Sequence, residues 1–180
     1  MKKLFISSLL VAFCVLVLAG GWSAQTGNGA TEFGAKLSGY EETLQTLASP
    51  ASGDFTATVS EDGNSIQFEL SYADVQTNVL FAHIHLGARA TTGGVMVFLC
   101  NNTATPPPPG PPQACPLHEG MVEGTVTAAN VIGPMGQGVS PGEFEKVVAA
   151  LRAGAAYANV HSARFPGGEI RGQIRVLDRK

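Results

Sequence analysis

Hydrophobic and polar residues alternate along most of the chain after residue 31, with a period of two. Phe55, Ala57 and Val59, for example, alternate with polar neighbours. Between turns rich in glycine, asparagine and serine, this period is typical of half-buried antiparallel strands. The pattern predicts eight strands, at residues 33–37, 54–59, 66–72, 79–86, 95–99, 120–127, 156–162 and 169–177.

One segment follows the helical period instead. Residues 140–143 read Ser-Pro-Gly-Glu, the form of a capping box with proline at the first helical position. Gly154 stands where a left-handed C-terminal cap would end the helix. We therefore predict a helix over residues 141–153. Its apolar stripe would consist of Phe144, Val147, Val148 and Leu151, at i, i+3, i+4 and i+7.

Eight short strands and one helix predict an all-β domain, built as a β-sandwich or a barrel with the helix across one open end. About 150 residues follow residue 30, enough for one compact domain with its own core. The stretch between Cys100 and Cys115 carries six prolines, which predicts a stiff, extended loop.

The N-terminal residues predict export. Lys2 and Lys3 precede an uncharged apolar run at residues 4–19, and small residues follow it. That order is typical of a secretory signal peptide, and the run is shorter than the roughly 20 apolar residues that span a bilayer. We expect a signal peptide at 1–19, a flexible lead-in at 20–30 and the domain at 31–177. Cleavage near Ala24 is an open alternative. The mature chain would then be secreted, periplasmic or held at the cell surface.

The charge balance narrows the range of partners. Without Lys2 and Lys3, 11 basic and 14 acidic side chains become 9 and 14, a net charge of about −5. A mildly acidic chain lacks the basic surface that nucleic acids or anionic membranes require. We expect no nucleic-acid partner and no stable membrane insertion of the mature chain. The partner that remains is an unidentified extracellular or periplasmic one.

Two cysteines remain after removal of the predicted signal peptide, Cys100 and Cys115. In an oxidising compartment, an even pair that flanks a loop predicts a disulfide. The alternative is a pair of buried free thiols.

Four sequence blocks resemble a known family. Residues 33–39 (FGAKLSG), 81–87 (FAHIHLG), 157–162 (YANVHS) and 166–173 (PGGEIRGQ) resemble, in order, the successive blocks of the chordin-type (CHRD) domain. The resemblance covers residues 31 to about 177 and implies a Greek-key sandwich of the immunoglobulin-like or superoxide-dismutase-like kind. It implies no activity, because growth-factor binding in chordin is associated with separate cysteine-rich modules that this chain lacks.

Three histidines carry the most informative chemistry. His83 and His85 are two residues apart in a predicted strand, so they share a face, with backbones about 6.5–7 Å apart. His161 likewise opposes the better core positions of its own strand. If the strands at 79–86 and 156–162 are neighbours, the three imidazoles converge. Such a site, with one open position, suits copper or zinc.

The His-x-His triplet is also similar to the one that holds copper in copper–zinc superoxide dismutases. No aspartate lies between His85 and Asp178, and the only other histidine there besides His161 is His118. The zinc-binding loop and bridging histidine of those enzymes thus have no counterpart, and we expect no dismutase activity. In a second interpretation, which stays open, the imidazoles bind neighbouring polar groups and hold loops together.

Glu169 and Arg171 share the outward face of the last predicted strand. We expect a surface ion pair or a contact that braces a turn; a less favoured alternative is that they hold the His161 side chain in place.

Two function classes follow. The first, and favoured, class is a non-catalytic extracellular binding or structural module. The second is a copper- or zinc-binding protein, a metal carrier or a redox protein. No nucleophile elbow, phosphate loop or paired-carboxylate motif is present, so we assign no catalytic residue and lean against an enzyme.

Overall fold

The computed structural model describes residues 29, 31–103 and 113–177. The predicted signal peptide, nearly all of the lead-in and the proline-rich residues 104–112 lie outside the described residues. Among the residues that are described, no helix is both long and apolar enough to cross a membrane.

Within these ranges the chain forms nine strands, one α-helix and three short 3-10 helices. The predicted strands are all observed, and the last predicted strand is divided in two at Ile174. The strands are β1 (Glu32–Ser38), β2 (Ser52–Val59), β3 (Ile66–Ala73), β4 (Val79–Leu86), β5 (Val95–Asn101), β6 (Gly120–Val126), β7 (Ala156–Ser162), β8 (Ile170–Gln173) and β9 (Arg175–Val176). The 3-10 helices are Gly39–Glu41, Ala128–Asn130 and Met135–Gln137.

The strands form one continuous antiparallel sheet in the order β5-β4-β7-β8-β1-β2-β3-β6, with β9 beside β1. Its two end strands, β5 and β6, approach each other, so the sheet curves into a nearly closed, barrel-like form. The predicted all-β fold with one short helix is confirmed.

The core lies inside this curved sheet. Alternation along β2 and β3 places every second side chain inside and leaves the others toward solvent. Each large apolar side chain that is fully buried stabilises the fold by about 1.5–3 kcal/mol. The largest such side chains include Phe33, Phe55, Ile66, Leu70, Ile84, Met96, Leu99, Leu151, Ile170 and Ile174.

The helix, α1, spans Phe144–Arg152 and begins three residues later than predicted. Gly142 has a φ of +87°, in the left-handed region, so the helix cannot extend back through it. Half of the capping box still forms, since the Glu143 carboxylate accepts a hydrogen bond from the Ser140 amide at 2.7 Å. The predicted C-terminal cap is confirmed: Gly154 is left-handed, and the next amide donates to the Ala150 carbonyl at 2.9 Å.

The disulfide between Cys100 and Cys115 is formed, as predicted, across 15 residues. Cys100 lies in β5 and Cys115 in the segment that leads into β6, so the bond ties the end strand β5 to the entry of the other end strand. A loop of this length is expected to contribute up to about 3 kcal/mol through the entropy it removes from the unfolded chain.

Candidate metal centre

The site is built on the pairing of β4 with β7. In this antiparallel register Phe81 lies opposite His161, His83 opposite Asn159, and His85 opposite Tyr157. Alternate residues of a strand share a face, so these side chains project together from the outer face of the sheet. β4 and β7 are therefore neighbours, which is the condition for the three imidazoles to converge.

The other neighbour of β4 is irregular at the same point. Pairing with β5 shifts register between Ala82 and His83 and again between Ile84 and His85. Bulges increase the local twist and re-aim side chains, and they are frequent beside functional sites. Here they set the β5 residue Phe98 opposite His83, with ring centroids 4.1 Å apart.

The three imidazoles converge. One ring nitrogen from each of His83, His85 and His161 lies within 4.8 Å of the other two. Metal–nitrogen bonds of about 2.0–2.1 Å in a tetrahedral arrangement place ligand nitrogens about 3.4 Å apart. The widest pair therefore has to close by no more than about 1.4 Å to hold one ion.

Two of the imidazoles are fixed by backbone carbonyls. His85 Nδ1 lies 2.9 Å from the Gly93 carbonyl, and His161 Nδ1 lies 2.9 Å from the Pro166 carbonyl. A carbonyl only accepts, so each Nδ1 carries the proton and each Nε2 keeps its lone pair. Backbone and carboxylate partners orient metal-binding histidines in this way.

The remaining ring nitrogens are buried and lack partners. His83, His85 and His161 are only 4 %, 8 % and 6 % exposed. Both nitrogens of His83 and Nε2 of the other two have no hydrogen-bond partner among the described residues. A buried polar atom without a partner costs about 1–3 kcal/mol. Four such atoms lie in this one cluster, so a ligand bound there would offset a large part of their desolvation cost.

Burial also keeps the cluster uncharged. Loss of solvation lowers the pKa of His161 to about 4, despite its bond to Pro166, and repulsion from His85 adds to the effect. The same loss, followed by repulsion from His161 and His85, lowers the pKa of His83 much further. Burial is also the main cause of the lowered pKa of His85. At neutral pH all three are neutral imidazoles with free lone pairs.

An aromatic shell surrounds the cluster. The Phe81 ring stacks on His83 at 4.7 Å between centroids, and Tyr157 stacks on His85 at 4.6 Å with the rings nearly parallel. We did not predict this shell, although the sequence contains its signal: Phe81 and Tyr157 have the same parity as the histidines of their own strands.

Arg171 is buried beneath this shell, not exposed as expected. Its guanidinium carbon lies 3.4 Å from the Tyr157 ring centroid, and Nη1 donates to the Thr43 hydroxyl at 2.9 Å. Arg171 thus reaches the cluster through the Tyr157 ring that stacks on His85.

Glu169 is also buried, and the expected surface ion pair with Arg171 is wrong. Its Oε1 accepts hydrogen bonds from the Ser49 hydroxyl at 2.7 Å and the Gln76 amide at 3.1 Å. Glu169 therefore braces two loops, the alternative that we had also considered. The loops hide both residues, which strand parity alone could not reveal.

Glu42 is a site residue that sequence reasoning missed. Its carboxylate accepts a 2.6 Å hydrogen bond from the Asn159 amide, directly opposite His83 in the sheet. Burial raises the pKa of Glu42 to about 7, although Asn159 and Arg171 act to lower it. Gly168 (φ +127°) permits this contact, because a Cβ there would lie 2.6 Å from the carboxylate.

A family model described as the CHRD domain matches residues 33–174. The matched region contains the three histidines, Arg171, Glu169 and both disulfide cysteines. Comparisons with curated proteins and with solved structures found no match.

Proposed function

The chain belongs to the CHRD domain family, and from that premise we propose that it is an exported protein that binds one copper or zinc ion through His83, His85 and His161. The proposal depends on one observation above the others. Three buried imidazoles each place one ring nitrogen within 4.8 Å of a ring nitrogen of the other two, and each has a ring nitrogen without a hydrogen-bond partner among the described residues.

The donor set suits these metals. Imidazole nitrogen is a good ligand for both copper and zinc, and three such ligands leave one coordination position open. Because the ligands are neutral at physiological pH, binding does not have to displace a proton from the coordinating nitrogens.

The surroundings favour a carrier or store over a catalyst. Phe81, Phe98 and Tyr157 pack around the imidazoles and separate them from solvent. When bound, the ion would supply Lewis acidity or, for copper, electron transfer. The chain's own residues hold the ion, fix the tautomers of His85 and His161, and keep water away.

Two observations support export. The Cys100–Cys115 disulfide is of a kind that persists in oxidising compartments. The basic and apolar residues at 1–19 have the order of a secretory signal peptide. N-terminal sequencing of exported material should find a start between Gly20 and Gln25, and an intact Met1 would contradict this.

Metal analysis tests the main proposal. The purified mature domain, treated with chelator and titrated with copper or zinc, should bind one ion with micromolar or better affinity. His85→Ala should abolish binding, whereas His118→Ala should not, because His118 is exposed and lies outside the cluster. A wild-type protein that binds neither metal overturns the proposal.

A second candidate is a non-catalytic binding or structural module in which the histidines are only structural. The Nδ1 bonds of His85 and His161 to Gly93 and Pro166 favour it, since they tie β4 and β7 to adjacent loops. Metal indifference combined with a lower melting temperature for His161→Ala would support this candidate, whose partner would be an extracellular or periplasmic molecule.

A further inference from the structure

We propose that the centre formed by His83, His85 and His161 selects monovalent copper over the dications Zn(II) and Cu(II). This inference rests on the metal-binding function proposed above and specifies the ion that the site takes.

The charge of the ligands favours a monovalent ion. Among the residues that the structure describes, the cluster of potential ligands contains three histidines and no carboxylate or thiolate. A complex with neutral ligands carries the whole charge of its ion, +1 for Cu(I) and +2 for Zn(II) or Cu(II). The cost of burying an ion rises with the square of its charge, so a dication costs about four times as much as a monocation of equal size.

A buried positive charge near the cluster acts in the same direction. Arg171 is 3 % exposed, and its guanidinium lies against the Tyr157 ring that stacks on His85. Its charge repels a dication about twice as strongly as a monocation. Glu42 and Glu41 interact electrostatically with Arg171, and the Glu42 carboxylate also accepts a hydrogen bond from the Asn159 amide.

The number of ligands that each ion requires also favours Cu(I). Zn(II) in proteins takes four ligands, and Cu(II) prefers a tetragonal set, so each needs at least one ligand beyond the three imidazoles. Cu(I) is commonly satisfied by two or three. The rings of Phe81, Phe98 and Tyr157, which pack on the imidazoles, offer no donor atom for a fourth position except the Tyr157 hydroxyl, which is bonded to the Gly93 backbone.

The three imidazoles are not held equally firmly. His85 and His161 are anchored by backbone carbonyls, whereas His83 has no hydrogen bond at either nitrogen among the described residues. Two fixed ligands and one that can adjust suit an ion that tolerates a wide nitrogen–metal–nitrogen angle.

Affinities for three defined probes test the inference on the wild-type mature protein. Cu(I) is supplied anaerobically as its acetonitrile complex against bicinchoninate, and Zn(II) and Cu(II) as sulfates against chelators of known affinity. We expect Cu(I) to bind at least about 100-fold more tightly than Zn(II). X-ray absorption of the copper-loaded protein should show Cu(I) with three nitrogen ligands at about 2.0 Å.

The outcomes separate the two proposals. Binding of Zn(II) or Cu(II) as tight as that of Cu(I) overturns the selectivity and leaves the metal-binding function standing. No binding of any probe overturns both.

Two charge variants test the cause of the selectivity. Arg171→Gln should narrow the ratio of Cu(I) to Zn(II) affinity by about tenfold, and Glu42→Gln should widen it. Arg175→Gln is the matched control, since Arg175 is an exposed arginine on β9, and it should leave the ratio within about twofold. Each ratio is measured within one protein, so a modest loss of stability does not obscure it. Equal ratios of Cu(I) to Zn(II) affinity in the wild type and all three variants would contradict the electrostatic explanation of the selectivity.

Discussion

Strands β2 and β7 belong to one sheet, yet their outer faces meet different surroundings. Along β2 buried and exposed residues alternate without exception, and the outward residues Asp54, Thr56 and Thr58 lie in solvent. Along β7 every residue is buried, including Tyr157 and His161.

Loops cause this difference. Segments 39–49, 87–94 and 163–169 fold over the outer face of β7 and provide hydrogen-bond partners at Glu42, Gly93 and Pro166. Buried polar groups are nearly always paired, so unpaired nitrogens beneath these loops are informative in a way that polar groups on β2 are not. The site therefore lies where the sheet is buried on both faces, whereas at β2 it is buried on one face only.

The largest effect should come from removing Tyr157, an outer-face residue of β7. Tyr157→Ala should lower the free energy of unfolding by about 3–5 kcal/mol, because it leaves a cavity between His85 and Arg171. Thr56→Ala, its counterpart on β2, should change it by no more than about 0.5 kcal/mol. Denaturant unfolding measures the free energy of unfolding of both variants. Similar losses for Tyr157→Ala and Thr56→Ala would contradict the inferred difference between the outer faces of β7 and β2.

The disulfide links the β4 side of the sheet to its β3 side, since β5 pairs with β4 and β6 pairs with β3. Replacing Cys100 and Cys115 by serine should lower the free energy of unfolding by up to about 3 kcal/mol. Mass spectrometry of the unreduced wild-type protein should detect no free thiol in the mature chain. Two alkylatable cysteines would refute the bond.

Metal should stabilise the histidine region alone. At a free concentration of 100 times its Kd, one bound ion raises the free energy of unfolding by about 2.7 kcal/mol. Hydrogen exchange should slow most in β4 and β7 and change little in β2. His85→Ala should remove both effects, and equal protection of β2 would point to non-specific binding.

The smallest effect concerns pH in the metal-free protein. Because the pKa of His161 is lowered to about 4, the unfolded chain binds a proton below about pH 6.5 that the folded chain does not. The contribution of His161 to the free energy of unfolding is complete above pH 6.5. It is lost as the pH falls toward 4, by about 1.4 kcal/mol per pH unit at most.

His161→Gln isolates that contribution. Glu42 acts in the opposite sense, since its raised pKa of about 7 makes the folded chain bind the extra proton. The difference between wild type and His161→Gln, measured by unfolding at pH 5.5 and 7.5, removes the Glu42 contribution. Parallel pH profiles would contradict the lowered pKa.

Much of the fold was predictable because it depends on local periodicity. The alternation at Phe55, Ala57 and Val59 marked β2, and the left-handed position of Gly154 marked the end of α1. The start of the helix was misplaced, because Gly142 adopts a left-handed conformation within a sequence that otherwise has the form of a capping box.

For the site, the sequence was enough to predict that His83 and His85 share a face, that His161 opposes the core row of its strand, and that two cysteines flank a loop. These features follow from the geometry of a single strand. Only the tertiary structure decided that β4 and β7 are neighbours, that bulges in the β4–β5 pairing set Phe98 against His83, and that loops bury Arg171 and Glu169. Strand order and loop cover arise from contacts between residues far apart in the chain, and periodicity within one segment contains no information about them.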